Sequence, residues 1–358
     1  MLRKFKIFLK IAKTYFLYKI GFPQPLSATF YLTYRCNLKC SYCPFAKKTS
    51  FEKLERVRRE IVKLGTDEAE EIEVSKKEAK YIIDEIAKQG TAVLSLTGGE
   101  PLLRKDLEEI ARHAKEKNMI LILHTNATLI TKERARKIGE SFDSVVVSLA
   151  GDEKINDQLR GRGNFKKTMN GVKLLKKYAP KIKVNLNFLL CKETTRNIDN
   201  ILEFSKKNFD SIAFLPGEYF SDLAMNKKEA KKIVSKLKNL KRKYGSFITN
   251  PKEHIELFED HLAAKKLKVK CDAFDLYFAV APNGDLLGCS MWPYPFGNIL
   301  KKDLKKLRKE GKKQKGKLLS MCGGCLGTVR VSLLLRQPFY THFSLLKNLS
   351  SKIGLIKK

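Results

Sequence analysis

The sequence predicts an α/β protein built on a parallel sheet. Six short β-rich runs alternate with six amphipathic helical stretches, and such alternation implies parallel strands joined by crossover helices. The composition, 43% hydrophobic and 31% charged over 358 residues, is that of a folded chain with enough apolar content for a large core. The length also fits one large α/β domain or two smaller ones.

The elements follow in order. Residues 1–26 begin with a basic amphipathic helix: Phe5, Phe8, Leu9, Ala12, Phe16 and Ile20 recur at helical steps between lysines, and Pro23 and Pro25 end it. Such a helix packs on its own domain or lies on a membrane surface. Residues 27–245 hold the alternation. Its strands are Thr29–Tyr34, Val93–Thr97, Ile120–His124, Val145–Leu149, Val184–Leu189 and Ile212–Leu215. The helices between and after them are Lys76–Gln89, Lys105–Asn118, Thr131–Gly139, Phe165–Tyr178, Thr194–Asn208 and Lys227–Tyr244. Phe51–Gly65 reads as an extra charged helix after the first strand. Residues 246–325 contain a hairpin turned at Pro282-Asn283-Gly284-Asp285 and a short helix at Lys301–Arg308. Residues 326–358 form an acid-free apolar-basic tail.

The chain carries 72 basic and 38 acidic residues, a net charge of +34. That excess favours polyanionic partners. Twelve of the basic residues lie in the two acid-free ends, Met1–Phe22 and Leu326–Lys358, six in each. No helix-turn-helix, zinc-finger, RRM or KH signature accompanies the charge, so nucleic acid is not an expected partner. No long apolar run crosses a bilayer and no clean signal peptide opens the chain, so a cytoplasmic protein is expected, peripheral to the inner membrane face if the basic ends bind lipid.

Eight cysteines in such a setting point to metal or redox chemistry rather than disulfides. Cys36, Cys40 and Cys43 form CxxxCxxC directly after the first strand. Iron-sulfur clusters are usually held by four cysteines. Three thiolates on one loop hold three irons of a cubane and leave the fourth iron open. Tyr42 precedes the third cysteine. Gly98-Gly99-Glu100-Pro101 follows the second strand, and two glycines allow backbone to approach a ligand closely.

With this spacing and setting the chain resembles the radical S-adenosylmethionine (radical SAM) superfamily. The resemblance covers about residues 28–215 and implies a partial, TIM-like (β/α)6 barrel. It also implies that the open iron binds the amino and carboxylate groups of S-adenosylmethionine, whose reductive cleavage gives a 5′-deoxyadenosyl radical that takes hydrogen from a substrate. Tyr42, Gly98, Gly99, Glu100, Pro101, Asn126, Ser148 and Arg160 match positions that surround this cofactor, with Glu100 as a supporting residue. Arg160 suits a carboxylate because its donors form a fork; Arg162 competes for the role. Ala127 stands where relatives carry glycine.

Cys271, Gly284 and Cys289 follow the pattern CX12GX4C, and Cys322-Gly-Gly-Cys325 supplies two more thiols. This resembles the opening of a SPASM domain, shortened to the single-cluster Twitch form. The resemblance implies a small C-terminal β-hairpin/helix unit binding one auxiliary [4Fe–4S] cluster; a four-cysteine zinc site would use the same ligands. Cys191, ending the fifth strand, and Glu218 or Asp222, after the sixth, are candidate catalytic groups because strand C-terminal ends face the active site in barrels.

Three functions are expected from these readings. One is a radical SAM enzyme acting on a peptide or protein and drawing on a low-potential electron donor. Another is a peripheral membrane radical SAM enzyme with a lipid or lipid-linked substrate. The third, of another class, is a zinc-stabilised basic scaffold binding nucleic acid.

Overall fold

In a computed structural model, the structure describes residues 2–43, 73–217, 225–265, 267, 269–290, 292–321, 326, 333 and 335. Glu218, Asp222, Cys322, Cys325, the expected Phe51–Gly65 helix and most of the C-terminal tail lie outside the described residues.

Six strands run parallel and lie side by side in chain order: β1 (Ser27–Thr33), β2 (Val93–Gly98), β3 (Ile120–Thr125), β4 (Ser144–Leu149), β5 (Lys183–Leu190) and β6 (Ser211–Pro216). The expected mixed α/β sheet is therefore present. The helices are α1 (Leu2–Lys19), α2 (Lys76–Lys88), α3 (Leu107–Glu116), α4 (Lys132–Ser141), α5 (Glu153–Arg160), α6 (Asn164–Tyr178), α7 (Ile198–Asn208) and α8 (Lys227–Tyr244). Local chemistry starts them. Ser75 with Glu78, and Asn226 with Glu229, form capping boxes before α2 and α8. The side chains of Thr131 and Asp152 cap α4 and α5.

Strand periodicity divides the sheet into two faces. One face carries Phe30, Leu32, Leu94, Leu96, Leu121, Leu123, Val145, Val147, Leu186 and Phe188, all buried in the core that also holds Ile82, Ile83 and Ile86 of α2 and Leu175 of α6. The other face carries Ser95, Thr97, His124, Ser148, Asn185 and Asn187, which are only half-buried. A closed barrel fills its interior with branched apolar side chains. This interior is polar and partly open.

A short helical pair, α9 (Lys252–Glu256) and α10 (Phe258–Leu262), follows α8, and His261 of α10 lies 3.1 Å from Gly217 O just after β6. The segment before the pair covers the β6 edge. Thr249 N–H donates to Ile212 O at 2.8 Å. The Asn250 side chain accepts from Phe214 N–H at 2.8 Å and donates to Phe214 O at 3.0 Å, imitating a neighbouring strand.

The C-terminal unit continues the same sheet. β7 (Tyr277–Val280) pairs in parallel with β1, and β8 (Asp285–Cys289) and β9 (Trp292–Asn298) follow antiparallel, giving the order β6-β5-β4-β3-β2-β1-β7-β8-β9. Gly284 makes the expected turn with a φ of +86°, and Asn283 is hydrogen-bonded to Asp285 there. The expected short helix is longer: α11 spans Leu304–Met321. Phe274 is packed between the hairpin and α11, in edge contact with Phe296 at 4.8 Å. A Cβ on Gly311 would stand 2.5 Å from the Phe274 ring, so the glycine within α11 makes room for it.

At the opposite end of the sheet, α1 crosses the N-terminal ends of the strands. Arg3 bonds Asp143 at 2.8 Å and donates to Lys115 O at 3.2 Å, and Lys10 donates to Lys117 O at 2.8 Å. Ile7, Thr14 and Tyr15 are the buried residues of α1. Of the stripe read from the sequence, Phe5, Leu9, Phe16 and Ile20 point outward, and Phe8 and Ala12 are half-buried. Docking thus uses a mixed face: Ile11, Tyr15 and Tyr18 pack in an apolar cluster with Leu26 and Leu276, and the Arg3 and Lys10 side chains reach carbonyls and a carboxylate at loop ends. Among the described residues no helix is long and apolar enough to cross a membrane.

Candidate functional site

The C-terminal ends of β1–β4 gather most of the residues singled out in the sequence. Cys36, Cys40 and Cys43 lie on the loop leaving β1, Cys40 buried and the other two half-buried. Burial raises the thiol pKa of Cys36 and Cys40. The loop is tied on three sides. Asn37, inside the CxxxCxxC run, donates to Thr128 at 2.9 Å and accepts from Asn126 at 2.9 Å. Ser41 N–H donates to Leu159 O at 2.8 Å. Arg160 Nη1 donates to Tyr42 Oη at 2.6 Å.

The glycine loop is laced to the same segment. Gly99 N–H donates to Thr33 O at 2.8 Å and Glu100 N–H to Arg35 O at 2.7 Å. A Cβ on Gly99 would lie 2.1 Å from Arg35 O, closer than any side chain tolerates. The glycine is required by the approach of two backbones. Glu100 is fully buried, with Oε1 accepting from Leu102 N–H (3.1 Å) and Thr125 (2.7 Å) and Oε2 from Asn126 N–H (2.8 Å). Its burial raises its pKa. These bonds make Glu100 a brace between β2 and β3. Pro101 is buried as the first residue of a single 3-10 turn, where its missing N–H costs nothing.

Asn126 is buried, and its carbonyl accepts from Thr168 at 2.9 Å. The next residue, Ala127, holds a φ of +60°, the left-handed conformation that glycine adopts freely. The alanine thus takes up the turn that the resemblance assigns to glycine. Ser148 is half-buried at the end of β4, beside Asn187 of β5.

Arg160, and not Arg162, enters the site. Arg162 is exposed, whereas Arg160 is buried and ends α5, a helix absent from the sequence reading. Its Nε is a buried donor with no hydrogen-bond partner among the described residues. Burial pushes the Tyr42 hydroxyl beside it up to about 12, so Tyr42 stays a neutral phenol.

A second group of charges braces the loop from below. The Glu73 carboxylate accepts from Arg35 Nε at 2.9 Å and from the Thr33 hydroxyl, and Arg104 stands 4.0 Å away. Arg104 also donates to Leu32 O and Val74 O. The signals for these partners in the sequence are too short to find, because each is a single residue with no spacing of its own.

Cys191 is 0% exposed, in a small apolar cluster with Leu159, Leu189 and partly buried Tyr42; burial pushes its thiol up to about 11. Cys271 is half-buried and Cys289 is buried at the end of β8, and Tyr31 next to Cys289 reaches Ser290 O at 3.3 Å. Among the described residues no three His, Cys, Asp or Glu side chains gather as they would around a single metal ion. Cubane thiolates each take a different iron, so wider spacing is what such a cluster requires.

A model of the radical SAM superfamily matches residues 30–205, the span that holds the three-cysteine loop, the glycine loop and Arg160. Residues 30–205 belong to the radical SAM superfamily. Over 175 residues, 48% of the chain, it is 37% identical to Fe-coproporphyrin III synthase of Methanosarcina barkeri, and it covers 39% of that protein. Over 78% of the chain it is 26% identical to the antilisterial bacteriocin subtilosin biosynthesis protein AlbA of Bacillus subtilis, of which it covers 58%. It thus spans less than two thirds of each relative. In fold it is similar to Streptococcus suis SuiB bound to its precursor peptide SuiA, with a TM-score of 0.61 at 18% identity over 84% of this chain and 67% of the other.

The radical SAM family uses S-adenosylmethionine and a [4Fe–4S] cluster. The residues present fit both. Three cysteines on one tied loop suit a cluster with one open iron. The glycine backbone leaves no side chain between the two loops, and a buried guanidinium keeps one donor free for an anionic group.

Proposed function

We propose that the chain is a radical SAM enzyme that modifies a peptide or protein. The observation that carries the chemistry is the convergence of the three-cysteine loop, the Gly98-Gly99 backbone and the unfilled Arg160 donor at one end of the sheet. Cys36, Cys40 and Cys43 would hold the cluster, and Arg160 with Ser148 would hold the carboxylate and ribose of S-adenosylmethionine. Bound together, the two cofactors supply reductive sulfonium cleavage and hydrogen abstraction from an unreactive carbon.

The protein's part is positional. Tyr42 fixes Arg160 while the guanidinium spends its other donors on the ligand. Glu100 joins the glycine loop to Asn126, and Asn126 joins Asn37, so three loops move as one. Cys271, Cys289, Cys322 and Cys325 would hold an auxiliary [4Fe–4S] cluster, closed by four thiolates. Glu218 is proposed at the substrate rim. Cys191 has no surface at the cavity, and we assign it a packing role under Tyr42.

The peptide reading rests on the AlbA match, which runs past residue 205 into the part of the chain that holds the second cysteine set. The porphyrin reading, from the Fe-coproporphyrin III synthase match, covers 48% of the chain. Anaerobic reconstitution tests the chemistry. A brown protein that releases 5′-deoxyadenosine from S-adenosylmethionine under reduction is expected, and Cys36→Ala/Cys40→Ala/Cys43→Ala abolishes the release. A colourless, zinc-only protein would refute it.

A further inference from the structure

Helix α1 is apolar on two sides, and the barrel covers one of them. Six of the eight large hydrophobic residues exposed among the described residues lie on α1 and the turn after it: Leu2, Phe5, Leu9, Phe16, Ile20 and Phe22, between 48% and 71% exposed. The first five stand at helical steps and form one stripe. Lys6 and Lys13 are exposed at its border, and Lys19 is exposed near its end. An apolar patch of this size on a lone soluble surface is disfavoured by the cost of hydrating it, and it marks an interaction site.

The charge selects the partner. α1 carries six basic residues and no acidic one, within a chain of net charge +34. A second copy would bring the same positive field against it, whereas a surface of lipid phosphates would satisfy it. A stripe of Phe, Leu and Ile bordered by lysine matches a helix lying in the headgroup boundary.

We propose that the outer face of α1 binds the surface of an anionic bilayer. The docking contacts set the orientation. Arg3 and Lys10 reach the loops that enter β2, β3 and β4, while Cys36–Cys43 and Gly98–Gly99 leave the opposite ends of the strands. The bilayer therefore lies behind the sheet, and the cofactor end faces water. Anchoring is separate from substrate supply, which argues against a lipid buried in the bilayer as the substrate. The inference does not depend on the cluster chemistry.

The test uses the full chain with phosphatidylglycerol–phosphatidylcholine vesicles and with phosphatidylcholine vesicles. Co-sedimentation with the anionic vesicles, lost at high salt, is expected. Phe5→Gln/Leu9→Gln/Phe16→Gln keeps helix-forming residues at exposed positions, so its thermal midpoint should match the parent while its binding falls about tenfold or more. Emission of a Phe16→Trp variant should shift to the blue on the anionic vesicles. The proposal fails if the parent stays in the supernatant at low salt. It also fails if the triple variant binds equally. It fails as well if the parent is a vesicle-indifferent dimer that the triple variant dissociates, because the face then belongs to a second copy.

Discussion

Arg160 shows what a single residue contributes. Its Nη1 is committed to Tyr42, its Nε is buried without a partner among the described residues, and the residue itself lies 118 positions from Tyr42 in the chain. Lysine would bring a charge but no fork, so Arg160→Lys should raise the KM for S-adenosylmethionine about tenfold or more. Iron content should stay at the parent's level, because the cysteines are untouched. Titrating 5′-deoxyadenosine release against S-adenosylmethionine checks this, and an unchanged KM would remove Arg160 from the site. The motif cysteines, Gly98, Gly99 and Asn126 were legible because each belongs to a spaced pattern at a strand end. In the sequence Arg160 has Arg162 as a competitor in the same short basic run, and burial against Tyr42 favours Arg160.

At the level of elements, the cysteine loop is held by neighbours as much as by its own sequence. Glu73 neutralises Arg35 and faces Arg104, with side chains 9%, 19% and 6% exposed. Removing one partner of such a buried group leaves charge uncompensated, at a cost of about 3–5 kcal/mol. Glu73→Ala should therefore lower the thermal midpoint and reduce iron uptake on reconstitution, and urea denaturation with iron analysis reads both. Full iron uptake would show that Glu73 only supports the fold. The six βα units were legible from apolar periodicity. The short α5 was missed because its eight residues offer only Ile155 and Leu159 as apolar positions, too few to show a period. For α1 the sequence leaves packing on the domain and lying on a membrane surface both open, because its outward stripe of Phe5, Leu9 and Phe16 is a stronger pattern than the buried set Ile7, Thr14 and Tyr15.

For the whole molecule, the governing fact is that β1 has hydrogen-bonded neighbours on both sides. The sequence shows a hairpin after residue 270 but not that β7 joins the barrel sheet, because a parallel pairing across some 250 residues leaves no local trace. Phe278 and Val280 are fully buried there, and burying two such side chains is worth about 3–6 kcal/mol. A chain cut after residue 245 should lose that burial and expose the β1 edge. We expect it to be insoluble or to melt well below the full chain; a truncated chain with the parent's midpoint would show that the C-terminal unit is independent.

The counterfeit strand that Asn250 presents to Phe214 bears on how the protein behaves in a crowd. A sheet that does not close ends in a row of open donors and acceptors, and such a row recruits strands from other molecules. With one side-chain amide filling both bonds of Phe214, and Thr249 taking Ile212, that flank offers no template to a neighbour. The sheet can stay unclosed on this side without becoming adhesive along the rim that the opening creates.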